Sequence, residues 1–589
     1  MKDIIRDSTL GQIIRLVSRN KLLLYPEEEI NFKCPKGYDD NAKLPEAVVR
    51  ERTRSFFSTA SDHYSSYVDD EEVTTTPESK TEGNSGEQSV GKAENVDLER
   101  TTTMKLVRTK SRPILPSKSA DGTILVDWYM TDDPEYPQNW SAGKKLYVSF
   151  QICIYSFAVY VGSSIYSPAL GGVMDDFNVS AVTGLLGLAL YVLAYGVGPM
   201  LFAPLSEIPA IGRTPIYVWT FVLFVILQVP TALVDNFAGL LVLRFLAGFF
   251  GSPCLATGAA TFQDMYSMVK MPHLLAFWAG AVTLGPALAP IIAGFSISAK
   301  DWHWFAWEEL WLTGPICIMM FISLPETSAP NILLRRAQRL RKLTDRANLR
   351  SQSEIDQEGM TASDVAYDAL IKPWQINFLD PAVAFTTIYT ALVYGIFYSF
   401  FESFPLVFPV MYGFNLGESQ LPFLAVVVSL LVCIPPYCYY YYYIVEPRVK
   451  ISGFGPPEER LIPGLIATFF VPAGLFLFAW TSNPSIYWIA PTIGVFLVMI
   501  GCYTIMQAIF LYLPFTYPQY AASLFAANDF ARSAFAAGAT EFSGPMFEKL
   551  GVARGCSLLG GLTVGCTVMF YGLFFFGKEL RGRSRFAVK

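Results

Sequence analysis

Charged residues are scarce in this chain. Of its 589 residues, 16% are Asp, Glu, Lys or Arg, whereas a soluble domain usually carries about 25%. Hydrophobic residues make up 52%. A surface with so little charge cannot all face water, which indicates a membrane protein. The net charge of −6 belongs to tails and loops, and no long basic run with interleaved aromatics is present, so we expect no nucleic-acid partner.

Metal ligands and catalytic motifs are also lacking. The nine cysteines are scattered without a CxxC pair, and the three histidines (His63, His273 and His303) are far apart. This pattern predicts no disulfide framework, no metal site and no cofactor, with the cysteines acting as small core residues. No Walker loop for ATP and no nucleophile motif appears, so an enzyme is the least favoured class.

Long apolar runs are abundant instead, and each can cross a bilayer, which takes about 20 residues. The charged N-terminal residues have no h-region and no cleavage site, so the first span is expected to target the protein. The predicted spans are 145–170, 181–205, 214–234, 237–259, 272–298, 303–324, 379–410, 419–444, 460–480, 485–511, 518–543 and 555–577.

The spans fall into two sets of six. We therefore predict a cytosolic, largely disordered tail at 1–144, a six-helix half at 145–324, a cytosolic central loop at 325–378, a second half at 379–577 and a cytosolic C-terminal tail at 578–589. The segment Val73 to Arg100 has almost no large apolar residue, which predicts disorder. The segment Ile13 to Leu24 is either a basic amphipathic helix on the inner leaflet or a tail helix with no membrane role.

Lysine and arginine are unevenly distributed between the two sets of connections. With the N-terminus in the cytosol, 18 of them fall in the cytosolic connections and the C-terminal tail, and three fall outside. The positive-inside rule therefore predicts that both termini are cytosolic. The sequon at Asn178 lies in the first outer loop and predicts a glycosylation site close to the membrane.

Several local patterns occur in a fixed order. They are DWY at 127–129, DDPEYPQNWSAGKK at 132–145, PLSE at 204–207 with IGR at 211–213, RFLAGF at 244–249, GPALAP at 285–290 and LPETSAPNILLRRAQRLRK at 324–342. Over residues 127–577 this set resembles the major facilitator superfamily, and more closely its fungal twelve-span drug–proton antiporters of the multidrug and polyamine-exporter type. The resemblance implies an all-α membrane protein with the major-facilitator fold, in which twelve transmembrane helices form two six-helix halves.

The loop after the second span carries a candidate cytosolic latch. Glu207 and Arg213 can hold neighbouring helices together through charge-assisted hydrogen bonds, with Asp264 as a third candidate. The family usually has glycine and aspartate where this chain has Pro204 and Glu207, which leaves the geometry of the latch open. An ordinary positive-inside loop is the alternative.

The family resemblance implies functional roles for an arginine in span four and a Gly-Pro pair in span five. An arginine within a span is costly and needs a wet cavity or a partner, and the family links the residue matching Arg244 to proton coupling. Hydrogen bonds from Arg244 to neighbouring carbonyls are the alternative. Gly285 and Pro286 resemble the hinge signature of antiporters, and a plain packing kink is the alternative.

The second half offers a carboxylate and an ion pair. Glu402 lies among aromatic residues of the seventh span, where it can take up and release a proton, so it is the leading candidate for the proton carrier. A position at the outer mouth and a role in binding cationic substrates are the alternatives. Asp529 and Arg532 are spaced to form an ion pair on one helical face, and direct contact with the substrate is the less favoured alternative.

The substrate cavity is expected between the two halves near the bilayer midplane. Polar, aromatic and methionine side chains could form an adaptable wall for apolar or cationic molecules. The candidates are Gln151, Tyr155, Tyr160, Phe397, Phe401, Met506, Gln507 and Asn528.

The favoured function is a monomeric exporter of varied drugs, fungicides and xenobiotics. It would be driven by the proton gradient, with alternating access, in the plasma membrane. Its partners would be the small-molecule substrate, protons and the lipid bilayer. Proton-coupled uptake of a nutrient or polyamine, and a non-transporting membrane sensor, are the alternatives.

Overall fold

The computed structural model describes residues 2–30, 32, 35, 38, 111–118, 122–358, 367, 371–517 and 521–584. Eleven helices in these ranges are long and apolar enough to cross a membrane, and the last of them extends over 60 residues. Gly551 interrupts that helix with non-helical angles (φ +76°, ψ 157°), which divides it into two spans. The described residues therefore contain the twelve spans that the sequence predicted.

The first half holds spans one to six. They are Ala142–Ser164, Ala181–Glu207, Arg213–Ala232, Phe237–Gly251 continued by Pro253–Met265, Met271–Ala299 and Trp304–Ser323. Two short helices, Ser167–Ala169 and Leu170–Phe177, follow span one.

The second half holds spans seven to twelve. They are Pro381–Pro405 continued by Leu406–Met411, Glu418–Ser452, Pro457–Thr481, Ile489–Thr516, and the two parts of Ala521–Arg583 on either side of Gly551. The helix Lys372–Leu379 precedes span seven.

Side-chain caps fix where several spans begin. Ser141, Ser180 and Asn236 accept hydrogen bonds from backbone N–H groups in the first turns of spans one, two and four. Asp380 accepts two such bonds at the start of span seven. These contacts satisfy N–H groups that have no partner within the helix, so each apolar run starts at a defined residue.

The two ends of the N-terminal tail are folded against the central loop. Lys2–Asp7, Thr9–Val17 and Pro26–Glu28 are helical, and strand Ile124–Leu125 pairs in parallel with Leu349–Arg350. The loop itself forms the helices Ala329–Thr344 and Gln352–Gln357. The face of the bundle that carries Ala329–Thr344 is called the central-loop side below. The predicted disorder at Val73 to Arg100 lies outside the described residues.

Buried charges hold these segments together in a tail clamp, which consists of Glu27, Asp133, Glu135, Arg336 and Arg339. Arg336 donates to Asp133 (2.7 and 3.1 Å) and to Glu135 (2.9 Å), and Arg339 donates to Glu27 (3.0 Å). Burial opposes ionisation of Asp133, but the hydrogen bonds and charge of Arg336 outweigh it and hold the pKa of Asp133 below its usual value. The contact was not predicted from the sequence, which indicated a largely disordered N-terminal tail and a separate central loop.

The amphipathic segment Ile13 to Leu24 is helical only as far as Val17. The helix Thr9–Val17 packs beside spans three and six. Arg15 is buried and binds Glu28 through two hydrogen bonds of 2.7 and 2.8 Å, while Leu16 and Val17 are exposed. The structure thus fixes the helix against the bundle and leaves its relation to the leaflet a prediction.

Candidate functional site

A small cavity lies between the two halves. It has a volume of about 20 Å³, which is room for about one water molecule. Spans four and five of the first half and spans ten and eleven of the second half enclose it. Its lining residues are Leu255, Ala256, Ala259, Leu275, Trp278, Phe510, Phe525, Asn528, Asp529 and Arg532.

A buried ion pair forms the polar part of this cavity. Arg532 donates to Asp529 on the same helix, with 2.7 Å between Nε and Oδ1. Arg532 also donates to the hydroxyl of Tyr160 on span one (3.0 Å), so the pair reaches across to the first half. The second carboxylate oxygen of Asp529 is buried and accepts no hydrogen bond from the described residues. The predicted ion pair is present in the structure, and it lies at the interface of the halves.

Hydroxyl groups join the halves next to this pair. Tyr195 of span two is hydrogen-bonded to Tyr394 (2.6 Å) and Tyr398 (3.0 Å) of span seven. Tyr398 donates to Ser163 of span one (2.9 Å). All four side chains are buried, so these bonds are sheltered from water and connect spans one, two and seven.

Three of the eight predicted cavity residues lie at the interface. Asn528 lines the cavity and donates to Thr390 of span seven (2.9 Å). Tyr160 contacts Arg532, as described above. Gln507 reaches from span ten to the carbonyl of Leu275 on span five, with 3.4 Å between donor and acceptor.

The other five predicted cavity residues do not line this cavity. Gln151 donates to Ser323 (3.0 Å) and Tyr155 donates to the carbonyl of Gly251 (3.2 Å), so both are bonded inside the first half. Phe397 and Phe401 are buried in an aromatic cluster of the second half, and Met506 is partly buried against the core. None of these five lines the cavity between the halves.

Arg244 occupies a second buried polar site, inside the first half. Its side chain is fully buried and donates to the carbonyls of Gly187 (3.1 Å) and Gly162 (2.8 Å). Its guanidinium carbon also lies 4.3 Å from the ring centroid of Tyr191. These contacts match the structural alternative for Arg244, and the coupling role stays a prediction.

The acidic partner of Arg244 was not among the residues predicted from the sequence. The side chain of Glu309 on span six is fully buried, and its Oε2 lies 3.9 Å from Nη1 of Arg244. The signal was available, because a carboxylate within an apolar span is as costly as an arginine.

Glu402 lies in the part of span seven that is remote from the central-loop side, nine residues before Met411, and is half-buried. Glu541 and Glu548, which precede Gly551, are close enough for their charges to act on it. Glu402 and Arg244 were both predicted to take part in proton coupling. No hydrogen bond or ion pair joins these two residues in the described part of the chain. The position at the outer mouth, the role in binding cationic substrates and the role as proton carrier all stay predictions for Glu402.

The cytosolic latch pairs Arg213 with Asp264, the third candidate from the sequence, and not with Glu207. Arg213 pairs with Asp264 through bonds of 2.5 and 3.3 Å, and Glu207 has no hydrogen bond or ion pair with any described residue. Glu326, which sequence analysis missed, accepts backbone hydrogen bonds from Arg213 (3.0 Å) and Thr214 (3.2 Å). The latch therefore ties spans three and four to the segment after span six.

The predicted antiporter hinge lies where span five crosses span one. The helix Met271–Ala299 passes through Pro286 without a break. A Cβ on Gly285 would come within 2.8 Å of the carbonyl oxygen of Phe157, and Ser164 donates to the carbonyl of Pro286 (3.1 Å). The glycine thus permits close packing of the two spans. The hinge movement stays a prediction.

Asn178 is exposed and ends the short helix Leu170–Phe177 in a left-handed conformation (φ +50°). The hydroxyl of Ser180, the third residue of the sequon, caps span two. Glycosylation at this site stays a prediction.

Two six-helix halves that meet at a buried polar site define a multi-pass membrane protein with the architecture of a secondary transporter. The sequence model described as Major Facilitator Superfamily matches residues 152–540. The MFS-type transporter pyvG of Aspergillus violaceofuscus is 47% identical over 80% of this chain and 87% of its own length. The Multidrug transporter FLR2 of Candida glabrata is 37% identical over 79% of both chains.

The fold is also found among solved structures. The human organic anion transporter MFSD10 aligns with a TM-score of 0.51 at 14% identity, covering 72% of this chain and 99% of that one. The chain belongs to the major facilitator superfamily, and within it to the fungal drug–proton antiporter family. It is a transporter with the all-α fold that the sequence predicted.

Proposed function

We propose that the protein exports structurally varied small organic molecules, including drugs, fungicides and other xenobiotics, in exchange for protons that move inward. The observation that carries this proposal is the site between the halves. There, Trp278, Phe510 and Phe525 surround the buried pair Asp529–Arg532. Aromatic rings can contact flat apolar molecules, and the free oxygen of Asp529 can accept from a cationic or hydroxyl-bearing one.

The size of the cavity supports alternating access. A pocket for a drug-sized ligand usually measures about 300–1,000 Å³, far above the volume of this cavity. A substrate therefore enters only after the halves have moved apart. The halves would open to one side of the membrane at a time, as the two-half architecture allows.

The relatives support the breadth of substrates, since one of them is named as a multidrug transporter. The proton gradient is the proposed energy source, because buried carboxylates lie within the spans and the sequence carries no Walker loop. We place the protein as a monomer in the plasma membrane with both termini cytosolic. It needs no cofactor, and the lipid bilayer, the substrate and protons are its partners.

A transport assay in proteoliposomes tests the proposal. Purified protein is reconstituted with a panel of fluorescent lipophilic compounds, and a pH gradient of either sign is imposed. Export in exchange for protons predicts that at least one compound moves against the direction of proton flow and that a protonophore abolishes this movement. Movement with the protons would instead establish uptake by symport. No gradient-dependent movement of any compound would contradict proton coupling.

A further inference from the structure

The pair Arg244–Glu309 differs from the other buried arginine–carboxylate pairs of this protein. Asp264 and Asp529 each accept direct hydrogen bonds from their arginines. Neither oxygen of Glu309 accepts a hydrogen bond from any described residue, and Nη1 of Arg244 has no hydrogen-bond partner there either. The two groups face each other at 3.9 Å without bonding.

Arg244 is nevertheless held firmly in place. Two of its nitrogens donate to carbonyls of spans one and two, and the rings of Tyr191 and Tyr166 lie 4.3 and 5.2 Å from its guanidinium carbon. The arginine therefore keeps its position whether or not Glu309 is charged. The carboxylate is the member of the pair whose state is free to change.

We propose that Glu309, rather than Glu402, is the site that binds the transported proton, with Arg244 as its fixed counter-charge. This inference rests on the proposed function, which supplies the proton flux. A buried ionised carboxylate without hydrogen bonds is costly, and a bound proton removes that cost. The neighbouring arginine favours the ionised form, so the two states can interchange.

The polar groups around the pair come from three elements. Arg244 belongs to span four and Tyr191 to span two, and Tyr166, from the turn after span one, lies against the guanidinium of Arg244. Span one presents Gly162, where a Cβ would collide with both the carboxylate of Glu309 and the hydroxyl of Tyr191. The site is thus shaped around the carboxylate of Glu309 by four packed segments.

Span one connects this site to the interface of the halves. The carbonyl of Gly162 accepts from Arg244, and the neighbouring hydroxyl of Ser163 accepts from Tyr398 of the second half. Tyr160, on the same turn, accepts from Arg532. A change in charge beside Arg244 therefore acts on the helix turn that carries Tyr160 and Ser163, the two residues bonded to the second half. Proton binding at Glu309 would bias substrate binding through this turn.

Neutralising Glu309 tests the assignment. Glu309→Gln keeps the shape of the side chain and removes the exchangeable proton, while Glu308→Gln changes the adjacent, half-buried residue and is the matched control. Each variant is reconstituted and assayed for pH-gradient-driven transport and for exchange of labelled against unlabelled substrate, which needs no net proton movement. Proton release on addition of substrate is measured with a pH-sensitive dye in detergent.

We expect Glu309→Gln to lose gradient-driven transport at least tenfold and to lose the substrate-induced proton release, yet to keep exchange. Glu308→Gln should behave like the wild type in all three assays. If Glu309→Gln keeps its proton release and its gradient-driven transport, the assignment is wrong. If the wild-type protein itself shows no gradient-driven transport, the proposed function is contradicted, whatever the behaviour of the Glu309 variants.

Glu309→Gln could also lose substrate exchange. In an intact protein that loss would overturn the assignment, whereas a damaged protein would lose exchange for any reason. The variant Glu309→Asp distinguishes an intact site from a damaged one. The aspartate keeps a carboxyl group that can bind a proton. It should recover proton release and part of the gradient-driven transport. A damaged site would recover neither, and that result would make Glu309 a structural residue.

Discussion

At the scale of single residues, the space around Glu309 depends on one glycine. A methyl group at Gly162 would collide with the Glu309 carboxylate and the Tyr191 hydroxyl. We expect Gly162→Ala to destabilise the protein by about 1–3 kcal/mol through overpacking, and to reduce transport. The measurement is the thermal unfolding of the purified protein, followed by transport in proteoliposomes.

Gly314 supplies the control for this substitution. It lies on span six with Glu309, and a Cβ there would meet no atom within 4 Å. Gly314→Ala should leave transport unchanged and keep or slightly raise the unfolding temperature, because alanine favours helix by up to about 1 kcal/mol. If Gly162→Ala and Gly314→Ala changed the unfolding temperature and transport equally, the close packing at Gly162 would not determine stability or transport.

At the scale of elements, the loop helix Ala329–Thr344 joins both ends of the N-terminal tail through Arg336. Removing this arginine leaves Asp133 and Glu135 buried without their main partner. We expect Arg336→Ala to cost about 3–5 kcal/mol locally, as for other broken buried ion pairs, and to release the tail from the loop. Limited proteolysis of the tail in the purified protein measures the release.

The neighbouring arginine is the matched control for the tail clamp. Arg335 makes no ion pair or side-chain hydrogen bond with the described residues. Arg335→Ala should change the rate of cleavage little, since surface substitutions usually fall within about 0.5 kcal/mol. Cleavage of Arg336→Ala at the wild-type rate would mean that the apolar contacts of the tail suffice without the ion pairs.

At the scale of the whole molecule, the hydroxyl of Tyr398 helps to hold the halves closed. Tyr398→Phe removes its bonds to Tyr195 and Ser163, which together are worth about 1–3 kcal/mol. We expect the substitution to favour separation of the halves and to raise the labelling rate of Gln420→Cys by about fivefold or more. Gln420 is buried on span eight, where it packs on Gly294 of span five.

Tyr389 gives the comparison within the same helix. It is buried on span seven, and its hydroxyl forms no hydrogen bond with the described residues of the first half. Tyr389→Phe should leave the labelling of Gln420→Cys near the rate of the parent, in a background without the native cysteines. Unchanged labelling in Tyr398→Phe would show that other contacts keep the halves together.

The helices and their grouping could be predicted from the sequence because hydropathy is a local property. Each span is a run of apolar residues that is long enough to cross a bilayer, wherever its neighbours lie. The same local cost predicted that Arg244 would need a partner or a wet cavity. The pairing of Asp529 with Arg532 was predictable as well, since the two residues are one helical turn apart.

Only the tertiary structure decided which distant residues meet. Each residue along a helix turns by about 100°, so a span-one residue can face its own half or the interface, and Tyr155 and Tyr160 face different ways. Arg213 pairs with Asp264, 51 residues later in the sequence, rather than with Glu207. Arg244 lies beside Glu309, 65 residues later. Such contacts depend on how packed helices are rotated and placed, which no local pattern encodes.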